Sequence, residues 1–336
     1  MITTNYNVKD INTFGISATA SQFSTFKSVD ELKSLLEQKP KDIPLLIIGG
    51  GSNILFTKDF NGLILKNEIH GFEIVAKNDN DVFVKAGAGE NWHSFVIRTI
   101  NLNLGGLENL SLIPGSVGAS PMQNIGAYGR EIKDVFHCLE AYHIETGEIH
   151  QFTKDACEFG YRESVFKKQF KNQYVILNVT FKLSKKHVLN TSYGAIEEEL
   201  KKMHVENPTI KDVSNAVIAI RSSKLPNPAE IGNAGSFFKN PVISTDLYDQ
   251  LKRDYPTISA YPNSDFTVKV AAGWLIEQAG WKGKQFGNYG VHKNQALVLV
   301  NYGGATGTEI YALSEDIIKS VKSKFGITLE REVNII

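Results

Sequence analysis

Pro44-Leu-Leu-Ile-Ile-Gly-Gly-Gly-Ser-Asn53 is a continuous apolar run that ends in three glycines. A short uninterrupted apolar run reads as a buried strand. The glycines allow a turn whose backbone N–H groups converge on one oxyanion, as phosphate-cradling loops do. It is not the G-x-G-x-x-G fingerprint: after Gly49 and Gly51 the third glycine is missing, and Ile54-Leu-Phe56 reads as returning strand. Nor is it a P-loop, since no Gly-Lys-Ser/Thr follows. Taken alone, it is better read as a glycine-rich hairpin turn.

A second stretch changes that balance. Ile113-Pro-Gly-Ser-Val-Gly-Ala-Ser-Pro-Met-Gln-Asn-Ile-Gly-Ala-Tyr-Gly129 holds four glycines and two prolines, too many for regular structure throughout. With Ile113, Val117, Met122, Ile125 and Tyr128 it is also too apolar for a solvated linker. Ordered, half-buried loops of this kind wrap ligands. Two such loops suit a long ligand with two phosphates, a dinucleotide.

The composition sets the frame. At 336 residues, two or three domains are expected. A hydrophobic fraction of 42% with 21% charged residues describes a soluble globular chain. Lys+Arg and Asp+Glu both number 36, so no global field favours nucleic acid or an anionic membrane. Cys138 and Cys157 are too few for a disulfide framework, and the eight histidines form no cluster that would hold a metal. With no basic-then-apolar leader and no apolar stretch of membrane-spanning length, the expectation is a cytoplasmic protein.

Around the two loops, periodicity predicts helices over 29–38, 91–101, 196–203, 210–220, 247–253 and 270–279. Strands are predicted over 136–144, 174–181 and 296–300, with a hairpin in 72–85 turning at Asn78-Asp-Asn-Asp81. Val175, Leu177, Val179 and Phe181 alternate onto one face. Thr306 with Glu309 forms a capping box for a last helix, and 328–336 alternates as a strand. Arg221-Ser-Ser-Lys-Leu-Pro226 marks a domain boundary.

Gly232-Asn-Ala-Gly-Ser-Phe-Phe-Lys-Asn-Pro241 carries the other chemistry. It presents one hydroxyl, Ser236, between a glycine and two aromatics, with Lys239 and Asn240 nearby. This suits the handling of a developing anion; equally, it reads as a glycine turn with two buried phenylalanines. Gly160-Tyr-Arg-Glu-Ser-Val-Phe166 sets Arg162 between aromatics, an arrangement suited to gripping a carboxylate. For Glu332, a solvated strand face is the stronger reading by itself.

Taken together, these blocks and the terminal Leu-Glu-Arg-Glu-Val resemble the UDP-N-acetylenolpyruvoylglucosamine reductases, in order and over nearly the whole chain. The resemblance implies an α+β fold with a vanillyl-alcohol-oxidase-like FAD-binding domain in two subdomains. These would be residues 1–70, completed by 328–336, and residues 71–220. An α/β substrate-binding domain would occupy 221–327. It implies non-covalent FAD held by Gly49, Gly50, Gly51, Ser52 and Asn53 and by Ser116, Gly118, Ala119, Ser120, Gln123, Asn124, Gly126 and Ala127. It implies NADPH-dependent reduction of the enolpyruvyl ether of UDP-N-acetylglucosamine to UDP-N-acetylmuramate in peptidoglycan synthesis. Arg162, Ser236 and Glu332 match the family's catalytic positions, with Ser236 as proton donor and Lys239 as the local candidate to support its alkoxide. Tyr193 matches a tyrosine that, in one branch, closes over the substrate; Lys224, Asn240 and Gln295 match UDP-sugar contacts, and Arg221 and Lys239 supply charge beside them. A monomer acting on a small molecule is expected. A flavin oxidase of the same superfamily is the competing enzyme reading; the Ser236 block argues against it.

Overall fold

The computed structural model describes residues 1–263 and 266–336. The chain forms two compact units. The first comprises Met1–Tyr6, Ala20–Gly51 and Asn61–Ser223, and the second Asn7–Thr19, Ser52–Phe60 and Lys224–Ile336.

The first unit centres on a five-stranded antiparallel sheet, in the order Ile149–Thr153, Phe136–His143, Tyr174–Ser184, Asp81–Gly87, Phe72–Lys77. The predicted hairpin turns at Asn78, whose Oδ1 accepts from the backbone of Asn80 and Asp81 at 2.9 and 2.8 Å. That Asx turn is why the acidic tetrapeptide reverses the chain. Asn91 caps the helix Trp92–Asn101 by accepting from Ser94 N at 2.9 Å. This helix buries Trp92, Phe95, Val96 and Ile100 in one cluster with Val84 and Phe181 of the sheet. Each such side chain contributes about 1.5–3 kcal/mol of burial.

A second sheet orders Thr3–Asn7, Thr19–Phe26, Phe60–Asn67, Leu45–Ile48, the last two running parallel with Leu45 opposite Leu63. The strand Leu45–Ile48 is the one predicted; Phe60–Asn67 goes unpredicted because Asn61 and Gly62 interrupt its apolar pattern. The two sheets explain a departure from the expected one-sided strand. Val175 and Leu177 pack with Phe26, Leu63 and Leu65, while Ile176 joins the cluster under the helix. Both faces of that segment are therefore covered. Helices Gly194–Lys202 and Ile210–Lys224 share a smaller apolar cluster.

In the second unit, Thr306 and Glu309 form the expected capping box of the helix Gly307–Phe325, which ends at the left-handed Gly326. Helices Thr245–Asp254 and Ala272–Gln278 stand where periodicity placed them. The strand expected over 296–300 begins only at Leu299, because Gln295 turns the chain: its carbonyl accepts from Val298 N and its Oε1 from Leu297 N. The terminal segment keeps its alternation, with Leu329 and Val333 buried. Its ladder is shorter than expected: Asn334–Ile335 pairs in parallel with Ile54–Leu55, and Arg331 bridges Phe238. The carbonyl of Ile336 accepts from both N and Oγ1 of Thr57 at 2.8 Å.

Candidate active site

In the first unit the two glycine loops meet. A Cβ on Gly50 would stand 3.0 Å from Gly115 Cα, and one on Gly49 would overlap the Ser116 hydroxyl. Gly118 lies against Ala88 in the same way, an added Cβ coming within 2.5 Å of the alanine methyl. At Gly50 backbone thus approaches backbone, and none of the three glycines has room for a side chain, which lets N–H donors reach a diphosphate at close range. The second loop is pinned from below by Val117 N to Glu90 O and Gly118 N to Ala88 O, both 2.9 Å. Within it, Ser120 Oγ donates to the Val117 carbonyl at 2.7 Å. These side chains shape the loop.

Asn124 does more. Buried and left-handed at φ 45°, it donates to Glu131 Oε2 and to the Gly160 carbonyl, both 2.9 Å, and accepts from Lys133 N. Gly160 opens the tight turn that carries Arg162, itself left-handed at φ 56°. Arg162 Nη2 donates to the Gly126 carbonyl at 2.7 Å, and Ser164 Oγ to the Met122 carbonyl at 2.7 Å. Three bonds therefore lace residues 160–164 to residues 122–126. Tyr161 lies beside the guanidinium, its ring centroid 5.3 Å away. The other expected neighbour, Phe166, turns away into the ring cluster of Phe152 and Tyr174, because the 3-10 turn Val165–Lys167 faces the core.

Arg221, expected among the substrate contacts, is engaged within the first unit. It sits inside the helix Ile210–Lys224, donating from Nε to the Leu112 carbonyl at 3.3 Å and bonding the Tyr128 phenol. Burial holds its guanidinium below the ordinary arginine range, and the phenol partly offsets that. Tyr128 in turn stands edge-on to Tyr193, with centroids 5.4 Å apart at 84°. Arg221 thus meets the loop tyrosine through Tyr128, which the sequence singled out only as an apolar residue. Asn109, also unforeseen, donates to the carbonyls of Tyr128 and Asn190 at 3.0 and 2.8 Å.

The second unit assembles Ser236 and Glu332 on adjoining segments. Gly232 lies so close to the Phe14 carbonyl that no Cβ would fit. Asn233 Oδ1 accepts from Gly235 N at 2.9 Å, and Gly235 takes φ 69°. This turn leaves Ser236 exposed while Phe237 and Phe238 are buried. Phe237 O accepts from Glu332 N at 2.8 Å, and Lys239 N donates to Glu330 O at 2.9 Å. Asn53, expected at the cofactor, donates to the Glu332 carbonyl at 3.3 Å, while its own carbonyl accepts from Asn334. Lys239 also departs from expectation: its ammonium is held by Glu330. Nothing in the sequence pattern signals this pairing, because the two residues lie 91 positions apart. Asn240 Oδ1 accepts from Ala272 N at 2.9 Å, and Gln295 Oε1 lies beside Gly273, an added Cβ there coming within 3.1 Å. Lys224 is exposed.

Residues 20–153 match the FAD binding domain family, and residues 227–336 match the C-terminal domain of UDP-N-acetylenolpyruvoylglucosamine reductase. The UDP-N-acetylenolpyruvoylglucosamine reductase of Flavobacterium johnsoniae is 54% identical over 336 residues, covering 100% of this chain and 99% of that one. The chain belongs to the UDP-N-acetylenolpyruvoylglucosamine reductase family. The reductase of Amoebophilus asiaticus is 51% identical over 333 residues, covering 99% and 98% of the two chains. The crystal structure of the Thermus caldophilus reductase, 22% identical, superposes with a TM-score of 0.68 over 100% of this chain and 98% of that one, so the fold is shared. Membership makes the chain an oxidoreductase of peptidoglycan synthesis with FAD as its cofactor. The abutting glycine loops fit that cofactor. Among the described residues no helix is long and apolar enough to cross a membrane, and no cluster of side chains would hold a metal ion.

Proposed function

We propose that the chain catalyses NADPH-dependent reduction of the enolpyruvyl ether of UDP-N-acetylglucosamine to UDP-N-acetylmuramate, as a cytoplasmic monomer. The two glycine loops would hold FAD, which would supply the hydride chemistry between the nicotinamide and the vinyl carbon of the substrate. Arg162 neutralises the substrate carboxylate bidentately as charge develops beside it. Ser236 delivers the proton to the adjacent carbon, and Glu332 acts on the same centre from the neighbouring segment. Asn240, Gln295 and Lys224 contact the UDP-sugar, and Tyr193, supported by Tyr128, closes over it as in the branch that carries this tyrosine. Arg221 acts through Tyr128. The observation that carries the reading is the turn at Asn233–Gly235, which exposes Ser236 between buried neighbours and beside the segment of Glu332. An anaerobic titration tests it: NADPH should bleach the flavin, and the enolpyruvyl UDP-sugar should restore its colour. Reoxidation by oxygen alone, with hydrogen peroxide formed and no sugar consumed, would instead mark a flavin oxidase.

A further inference from the structure

Lys239 is more than nine-tenths buried, an unusual place for an ammonium without a carboxylate. Its partner Glu330 is otherwise largely open to solvent. The bonds Lys239 N to Glu330 O and Glu332 N to Phe237 O make the two segments antiparallel, with Lys239 opposite Glu330. In extended chain, residues two apart share a face and are separated by about 6.5 Å. Glu332 therefore follows Glu330 on the face that Lys239 addresses, at an interval that the flexible stem of a lysine spans. Glu330 holds the buried cation, and Glu332 is the next carboxylate along the same face.

We propose that Glu330 is a positioning residue for Glu332: by holding the Lys239 ammonium it fixes the register of the terminal segment and keeps that cation from the reactive glutamate. The inference rests on the proposed function. A lysine that moved to Glu332 would hold that carboxylate ionised and draw it from the substrate. A hydrophobic replacement for the lysine, by contrast, leaves nothing to misdirect.

Stopped-flow measurements on the holoenzyme separate the half-reactions. In Glu330→Gln, flavin reduction by NADPH keeps its rate, while reoxidation by the enolpyruvyl UDP-sugar slows about tenfold or more, with a larger solvent deuterium isotope effect. The double variant Lys239→Met/Glu330→Gln recovers most of that loss, and Glu330→Asp, which keeps the charge, stays near the parent. A crystal structure of Glu330→Gln shows Lys239 Nζ on Glu332. Reoxidation of Glu330→Gln at the parent rate, a double variant as slow as the single one, or Nζ still at residue 330 overturns the proposal. A parent enzyme whose flavin the sugar does not reoxidise overturns the proposed function instead, and the crystal structure still decides the lysine's partner.

Discussion

The guanidinium of Arg162 donates to the carbonyl of Gly126 over 2.7 Å, tying the arginine to the loop of the cofactor domain that also carries Tyr128. Left-handed backbone at a non-glycine residue costs about 1–2 kcal/mol and persists only where the surroundings over-determine it. Here the Asn124–Gly160 and Ser164–Met122 bonds supply that constraint. The planar fork can spend one nitrogen on Gly126 and keep others for a carboxylate, which an ammonium cannot do with the same geometry. Arg162→Lys should therefore leave flavin reduction intact and slow reoxidation by the substrate about 10²- to 10³-fold, the scale of losing one preorganised donor. Equal losses in the two half-reactions would place the arginine at the flavin instead.

Ser236→Ala removes the proposed proton donor while keeping the turn, whose bonds come from Asn233 and Gly235. Flavin reduction by NADPH should be spared, and reoxidation should fall about 10²- to 10⁴-fold. If both half-reactions decline together, Ser236 is only part of a glycine turn over two buried phenylalanines.

Much of this was legible in the chain because it depends on local chemistry. The hairpin at Asn78, the Thr306 cap and the strand before Gly49 follow from side-chain oxygens and apolar runs that act within a few residues. Arg162 and Ser236 stood out through the motifs around them, whereas Glu332 entered only through the family resemblance. What periodicity could not show was where long side chains end. Arg221 and Lys239 were expected to meet substrate as loose positive charges, yet each is met by a specific partner, Tyr128 or Glu330. Such pairings depend on contacts between distant segments. The same holds for Val175 and Ile176, buried on opposite faces because a second sheet covers what one strand's pattern leaves open.

The close approach of Gly50 to Gly115 predicts cofactor loss without loss of fold. Gly50→Val would force a branched side chain against Gly115, whose Cα would lie only 3.0 Å from the new Cβ. The purified variant should be colourless, with a far-ultraviolet circular dichroism spectrum like that of the parent. The parent should be yellow, and acid precipitation should release its flavin into the supernatant. A yellow Gly50→Val protein would place the cofactor elsewhere.

His93 predicts a pH dependence of stability. Burial, and then the nearby Arg221, hold its pKa below the ordinary histidine value, and its Nδ1 must stay unprotonated to accept from Leu112 N at 2.9 Å. Above about pH 6.5 neither folded nor unfolded chain binds the proton, so the full stability is present. As pH falls below that value the unfolded chain takes up a proton that the folded one refuses, and stability is lost until the lowered folded value is reached. His93→Asn keeps an acceptor and removes the titration, so its melting temperature should fall less steeply with acid. His292, shifted in the same direction by burial and Lys293, retains its own share of the slope. An unchanged slope in His93→Asn would show that the ring titrates equally in both states.

NADPH and the UDP-sugar are expected to use one site in turn. The chain has no complete G-x-G-x-x-G unit with which to build a separate nicotinamide fold, and the two glycine loops are proposed to hold FAD. Both ligands must bring a carbon to the same reactive edge of the flavin, and both carry a diphosphate. Sharing a pocket requires ping-pong kinetics, with excess UDP-sugar competing against NADPH for the oxidised enzyme. Tyr193, set edge-on to Tyr128, should discriminate between the two ligands. Tyr193→Phe keeps the ring contact, whereas Tyr193→Ala removes it and should weaken the UDP-sugar far more than NADPH. Initial rates over a grid of both concentrations decide the matter. Parallel double-reciprocal lines with competitive inhibition at high substrate are expected, and intersecting lines would require a ternary complex and a second binding site.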